Sequence, residues 1–191
     1  QLCNSSYIAE KTNSIIVNDF RQKDLLNGGE GAPLVPIFHK LLINKFNLKR
    51  PCSFINIGGI SNITVLDDRG RFTAYDVGPG MCLLDQYVYL KKKKLYDSYG
   101  KYSSKGKINI NILKQLLGDK YFKKNPPKSL DRNYFSFYLV QNLNFYDACA
   151  TLSAFTAYSI INDLKKIKSQ NIIISGGGVK NRFILNLIKK N

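Results

Sequence analysis

SFINIGGISNITVLDDRGRFTAYDVGPG, residues 53–80, holds three β-favouring runs separated by glycine-bearing turns. Phe54 to Ile57, Asn62 to Leu66 and Arg71 to Asp76 are the runs. Gly58-Gly59 joins the first pair, and Asp67-Asp68-Arg69-Gly70 joins the second. Short loops of this chemistry predict an antiparallel meander. The third run ends in Tyr75-Asp76-Val77-Gly78-Pro79-Gly80, where Gly-Pro-Gly forces the backbone to turn. Such a junction aims the Asp76 carboxylate out of a rigid sheet into a cleft, where a catalytic base is needed. An ordinary strand-ending turn is the plainer alternative for the hexamer taken alone.

Working outward, Pro79 opens a helix carrying Leu83, Leu84, Tyr87, Val88 and Leu90. Residues 95–146 are less regular, with a helix over Ile108 to Leu117 and a break at Asn125-Pro126-Pro127-Lys128. Asp147 reads as the N-cap of a long helix reaching about Lys168, with Leu152, Phe155, Ile160, Ile161 and Leu164 on or near one stripe. Ile172-Ile173-Ile174 reads as a buried parallel strand, and Phe183, Ile184, Leu187 and Ile188 mark a final helix. The order is three antiparallel strands, helix, insertion, helix, strand, helix. That is an α/β arrangement of the ribonuclease-H-like type found in actin and sugar kinases, a mixed sheet flanked by helices.

Upstream, Ile8 and Ala9 fit a short helix, and Ile15-Ile16-Val17 reads as a buried strand ending at Asn18-Asp19. Gly28-Gly29-Glu30-Gly31 is a loop, and Pro33 starts a helix with Leu34, Ile37, Phe38, Leu41, Leu42 and Phe46. Residues 1–48 therefore read as the tail of a preceding similar domain plus a connecting helix. Residues 49–191 read as a second domain lacking its last strand and helix. The first residue is Gln1, so the sequence is expected to be a piece of a longer product, truncated at both ends.

The net charge of +16 raises a nucleic-acid role. Lysine carries nearly all of it, with arginine only at 21, 50, 69, 71, 132 and 182. Abundant Lys, Asn, Ile and Tyr together read as codon bias of an AT-rich genome, whereas a phosphate-binding face favours clustered arginine. No nucleic-acid partner is expected. The four cysteines are widely spaced and the one histidine is His39, so no Cys/His metal cage is expected. No apolar run reaches the roughly 20 residues of a membrane span, and no secretory signal is visible. A cytoplasmic protein with reduced thiols and no membrane partner is expected.

Three further segments carry chemistry. Asn56-Ile57-Gly58-Gly59-Ile60-Ser61-Asn62 would let backbone N–H groups approach an anion, or would be a tight structural turn. Ser175-Gly176-Gly177-Gly178-Val179-Lys180-Asn181 joins a strand to a helix, which suits close contact with a nucleotide or close packing alone. Asp19-Phe20-Arg21-Gln22-Lys23-Asp24 offers Arg21 for bidentate recognition of a carboxylate or phosphate, or for a surface ion pair with Asp24.

Taken in order, DFRQKDLLNGGEGAPLVPIFH, NIGGISN, DVGPGMCLLD, PKSLDRNYF and SGGGVKN resemble the motifs of the anhydro-N-acetylmuramic acid kinases, sugar kinases of bacterial cell-wall recycling. The resemblance spans essentially the whole chain. It implies a two-domain relative of actin and hexokinase that uses ATP and Mg2+. The reaction it implies is phosphorylation of 1,6-anhydro-N-acetylmuramic acid with opening of the anhydro ring. By the same match Asp76 is the catalytic base. Gly58, Gly59 and Asn62 belong to the second phosphate hairpin, and Gly176, Gly177, Gly178 and Asn181 to the adenosine loop. Arg21, Asp24 and Asn56 fall on the sugar side. Asp85 would orient the helix or a metal-bound water. Magnesium would be held mainly by nucleotide phosphates and water, and a homodimer stays open. Met81, Glu30, Leu130 and Asp131 depart from the family pattern, which has Asn, Gln, Thr and Gly there. An inactive remnant of such a kinase is the alternative, and a basic nucleic-acid module the more distant one.

Overall fold

The computed structural model describes residues 3–29, 31 and 34–191. They form two units, residues 1–34 and 35–191. The connecting helix therefore belongs with the larger unit rather than with the tail.

In the small unit, α1 spans Ser5–Thr12 and α2 spans Gln22–Leu26. Asn4 caps α1 by accepting from the Tyr7 N–H at 3.0 Å, and Asn13 ends it in the left-handed region. The strand expected at 15–17 is absent. Ile15 is 94% exposed and Val17 70% exposed. A strand needs a ladder partner for its backbone groups, and among the described residues none pairs with this segment.

The large unit opens with α3 (Pro36–Lys45), three residues later than expected. Pro36 takes the first turn, where its missing N–H costs nothing; Pro33 lies outside the described residues. Ile43 of α3 packs on Cys52, Phe54 and Leu66, and His39 stacks on Phe54 with ring centroids 4.4 Å apart. Burial there pushes the His39 pKa down.

The meander forms as the turns dictate. β1 (Cys52–Ile57), β2 (Ile60–Leu66) and β3 (Phe72–Pro79) are antiparallel. β4 (Asn171–Ser175) lies parallel to β1, giving the order β3-β2-β1-β4. Three antiparallel strands with a parallel fourth beside the first is the ribonuclease-H-like arrangement. β4 is an edge strand rather than a buried one; Ile172 is 46% exposed.

The side-chain period of two sorts the register into rows. Ile174, Ile55, Ile63 and Tyr75 are direct partners across all four strands and join the core beneath α6 and α7. The next row is Ser175, Asn56, Asn62 and Asp76. It projects to the opposite face, the one carrying Cys52, Phe54 and Leu66 under α3. A bulge between Ser61 and Asn62 marks the end of this regular register.

α4 (Cys82–Lys92), α5 (Ile110–Leu117), α6 (Phe145–Ile167) and α7 (Arg182–Lys190) follow. α6 is the central helix, buried along most of its length. Its N-cap is Asn144 rather than Asp147: the Asn144 Oδ1 accepts from the Asp147 N–H at 3.0 Å. The Asp147 carboxylate instead accepts from the Lys107 N–H at 2.6 Å, tying the insertion to the helix. Within the insertion, Tyr121, Phe122 and Phe135 pack edge-on and stacked against one another and on Phe155 of α6.

Candidate active site

A cavity of about 470 Å³ opens where the β1–β2 hairpin, the start of α4 and the β4–α7 junction meet. Its wall includes Gly58, Gly59, Met81, Asp85, Gly177, Lys180 and Asn181, closed on one side by Tyr96 to Tyr99. The sequence separates these groups by more than 80 positions, and the parallel pairing of β4 with β1 brings them together.

The glycines divide by what surrounds them. A Cβ at Gly176 would meet the Asn56 Oδ1 at 2.5 Å and the Ile57 carbonyl at 2.6 Å, and its φ is +90°. One at Gly178 would meet the Ile57 Cγ2 at 2.2 Å. These two permit close strand-to-loop packing. A Cβ at Gly177 would meet nothing within 4 Å, so this backbone faces the cavity. Gly59 is nearly as open, with Cys82 Cβ at 3.9 Å. Gly80 has no such room; a Cβ there would lie 2.2 Å from the Gly58 carbonyl. The hairpin carbonyls are capped from this side. Met81 donates to the Gly58 C=O at 2.8 Å, and Gly80 and Cys82 donate to the Gly59 C=O at 3.0 and 3.1 Å. The first amides of α4 are thus spent on the hairpin and hold it in shape.

Charge in the cavity is mixed. Burial, and then the Asp97 charge, push the Asp85 carboxyl up to about 6. Its Oδ1 is buried with no hydrogen-bond partner among the described residues. Asp97 is fully engaged, accepting from the Tyr102 and Ser103 N–H groups at 2.7 and 3.1 Å and from the Ser103 hydroxyl at 2.7 Å. Asn181 caps α7 through its Oδ1, which accepts from Phe183 and Ile184 N–H at 3.1 and 3.2 Å. Its Nδ2 is buried, without a partner among the described residues. Lys180 is the cation of the wall. Met81 presents an apolar side chain there and makes no side-chain cap for α4.

Asp76 does not line this cavity. It sits half-buried at the β3 end of the polar row, beside Asn62 and on the face away from the apolar core. Its Oδ2 accepts from the Leu130 N–H at 2.8 Å. Its own N–H donates to the Lys128 C=O at 3.0 Å, and its C=O accepts from the Tyr121 hydroxyl at 2.7 Å. Asn56 links row and cavity, since its side chain abuts both Gly58 and Gly176. Of the residues singled out by sequence, Gly58, Gly59, Gly177 and Asn181 share the cavity wall. Asn56, Asn62 and Asp76 share the row.

Arg21 and Asp24 lie in the small unit. The Asp24 carboxylate accepts from the Gly31 N–H at 2.7 Å, and a Cβ on Gly29 would overlap it at 2.2 Å. Asp24 thus folds the glycine loop around itself. Glu30 lies outside the described residues. Sequence reasoning missed Asp97, Tyr99 and Lys180 as wall residues. Tyr99 in the left-handed region next to Gly100 was the available local signal of a tight loop. Among the described residues no cluster of three or more His, Cys, Asp or Glu side chains could hold a metal. No helix among them is long and apolar enough to cross a membrane.

The family model for anhydro-N-acetylmuramic acid kinase matches residues 1–191. The anhydro-N-acetylmuramic acid kinase of Methylorubrum populi is 35% identical over 192 residues, covering all of this chain and 51% of that protein. That of Methylobacterium nodulans is 39% identical over 176 residues, covering 91% of this chain and 47% of its own. Among solved structures, the activator of the 2-hydroxyisocaproyl-CoA dehydratase from Clostridium difficile with bound ADPNP aligns with a TM-score of 0.47 at 17% identity, over 75% of this chain and 52% of that one. The chain spans about half the length of the curated relatives it matches. A match along every residue of the chain, at these identities, leaves one assignment: the chain belongs to the anhydro-N-acetylmuramic acid kinase family.

Proposed function

We propose that this chain supplies one wall of the catalytic cleft of an ATP-dependent kinase. Its substrate would be 1,6-anhydro-N-acetylmuramic acid and its product N-acetylmuramic acid 6-phosphate, in cell-wall recycling. The observation that carries the reading is the sheet register. It sets the Asp76 carboxylate in line with Asn62 and Asn56, and Asn56 touches the glycine junctions of the cavity. In this reading Asp76 takes a proton from water, and the water oxygen bonds to C1 as the C1–O6 bond breaks. O6 then bonds to the γ-phosphorus, and ADP leaves. Asp76 serves as the positioned base, its orientation supplying much of the effect. Asn56 and Asn62 present amide groups to the sugar and to the phosphates. The open backbones of Gly59 and Gly177, with the Asn181 amide and Lys180, suit a nucleotide. The chain offers no carboxylate cage of its own, which fits magnesium carried on the nucleotide phosphates, where it would neutralise charge on the transferred group.

A second reading, a family member without turnover, is favoured by Met81, which puts a thioether where the family motif has an amide. One experiment separates the two. ATP and the anhydro-sugar are supplied to the full-length protein containing this chain, and the 6-phosphate is followed by mass spectrometry. Turnover that Asp76→Asn abolishes, with ATP binding retained, supports the kinase. Absence of turnover with ATP binding retained selects the second reading. Near-normal turnover of Asp76→Asn removes the base assignment.

A further inference from the structure

The insertion between α5 and α6 does more than fill space beside the sheet. Asp76 lies on an edge strand, so its N–H and C=O point outward from β2. Both are met by this insertion, through the Lys128 carbonyl at 3.0 Å and the Tyr121 hydroxyl at 2.7 Å. The same segment reaches the side chain, where the Leu130 N–H donates to Oδ2 at 2.8 Å. Three groups of one residue are thus held by ten residues of one loop. Because the Asp76 backbone bonds outward, Asn62 and Asp76 form a narrow, non-hydrogen-bonded pair, the kind in which facing side chains come closest.

The loop itself is anchored by an unusual buried cation. Lys128 is 7% exposed. Its Nζ lies 4.8 Å from the Tyr121 ring centroid and 5.5 Å from that of Tyr75, the residue before Asp76. Asp163 of α6, also 7% exposed, supplies the opposing charge and is bridged to Lys166 at 3.2 Å. Burial pulls the Lys128 pKa down and Asp163 pulls it back up, with Lys166 opposing. A desolvated ammonium between two tyrosine rings is costly unless its surroundings are held in place. The rings that hold it belong to the two residues that flank or bond Asp76.

We propose that Lys128 is a positioning residue for the reaction: by locking Tyr75, Tyr121 and the 128–130 backbone to α6, it fixes the direction of the Asp76 carboxylate. The assignment rests on Asp76 being the base. The bond to Oδ2 comes from a backbone N–H, so the Leu130 departure from the family motif leaves it intact.

The test uses Lys128→Met, which keeps the stem and removes the charge, and Tyr121→Phe, which removes one hydroxyl. In the full-length enzyme each is expected to lower kcat by roughly 10- to 100-fold, the scale of a small misplacement of a reacting group, with KM for ATP within about twofold. In the 191-residue chain, hydrogen exchange of the Asp76 and Leu130 amides should quicken in Lys128→Met while α6 stays protected. Unchanged kcat, or unchanged protection of the two amides, overturns the proposal. So does a kcat loss matched by an equal loss of ATP binding and of melting temperature, which marks a merely structural role. If Lys128→Met does not fold, Tyr121→Phe decides alone. Asp76→Asn is run in parallel. Full turnover in that variant removes the base assignment, whereas exchange that stays unchanged removes only the clamp.

Discussion

Asp85 shows how one residue sets a pH dependence. An acid whose pKa is raised in the fold is favoured in its protonated form. Stability from this group is present below its ordinary value near 3.8 and is lost as pH rises through about 6. Asp85→Asn should therefore raise the melting temperature at pH 8 and leave it nearly unchanged at pH 4. Discounted for the solvent the side chain still meets, the gain is about 1 kcal/mol, or roughly 2–4 °C for a chain of this size. Equal effects at both pH values would mean that the charge is irrelevant. The glycines at 176–178 make a second residue-scale contrast. Gly176→Ala combines a positive φ with backbone overlap and should cost about 2–3 kcal/mol by urea unfolding. Gly177→Ala should leave stability within about 0.5 kcal/mol yet weaken ATP binding, measured by calorimetry. In sequence the three are identical letters. Only the partner strand, more than a hundred residues away, distinguishes the packed pair from the open one. The same holds for Asp24: its motif was legible, but its bond to Gly31 depends on a loop closure that spacing alone does not state.

Among elements, the meander, both long helices and the parallel fourth strand were legible, because turn glycines and apolar periods are local. What failed was context. Ile15 to Val17 has strand composition but no ladder partner among the described residues, and composition cannot supply one. Ile172 to Ile174 has the apolar content of a central strand and sits at an edge. The α6 start was misread because Asp147 and Asn144 are both good caps. The structure shows that Asn144 takes the N–H while Asp147 serves the insertion. Asn144→Ala should accordingly cost about 1 kcal/mol, read from the urea midpoint. Asp147→Ala should cost as much through the loss of the Lys107 bond, and would also raise exchange in the insertion.

For the whole molecule, the division after Leu34 leaves every strand and the entire cavity wall in residues 35–191. A chain beginning at Val35 should melt cooperatively, within a few degrees of the 191-residue chain by calorimetry. A broad, early transition would show that the small unit completes the core. The two edges of the sheet differ in kind. β3 is sheathed by the 121–130 loop, whereas β4 is an edge strand with a half-exposed isoleucine. A bare rim of this sort invites another strand to dock on it. In concentrated solution that rim becomes a seam along which copies can zip together. Ile172→Lys, by studding it with charge, should keep the protein dispersed in light scattering.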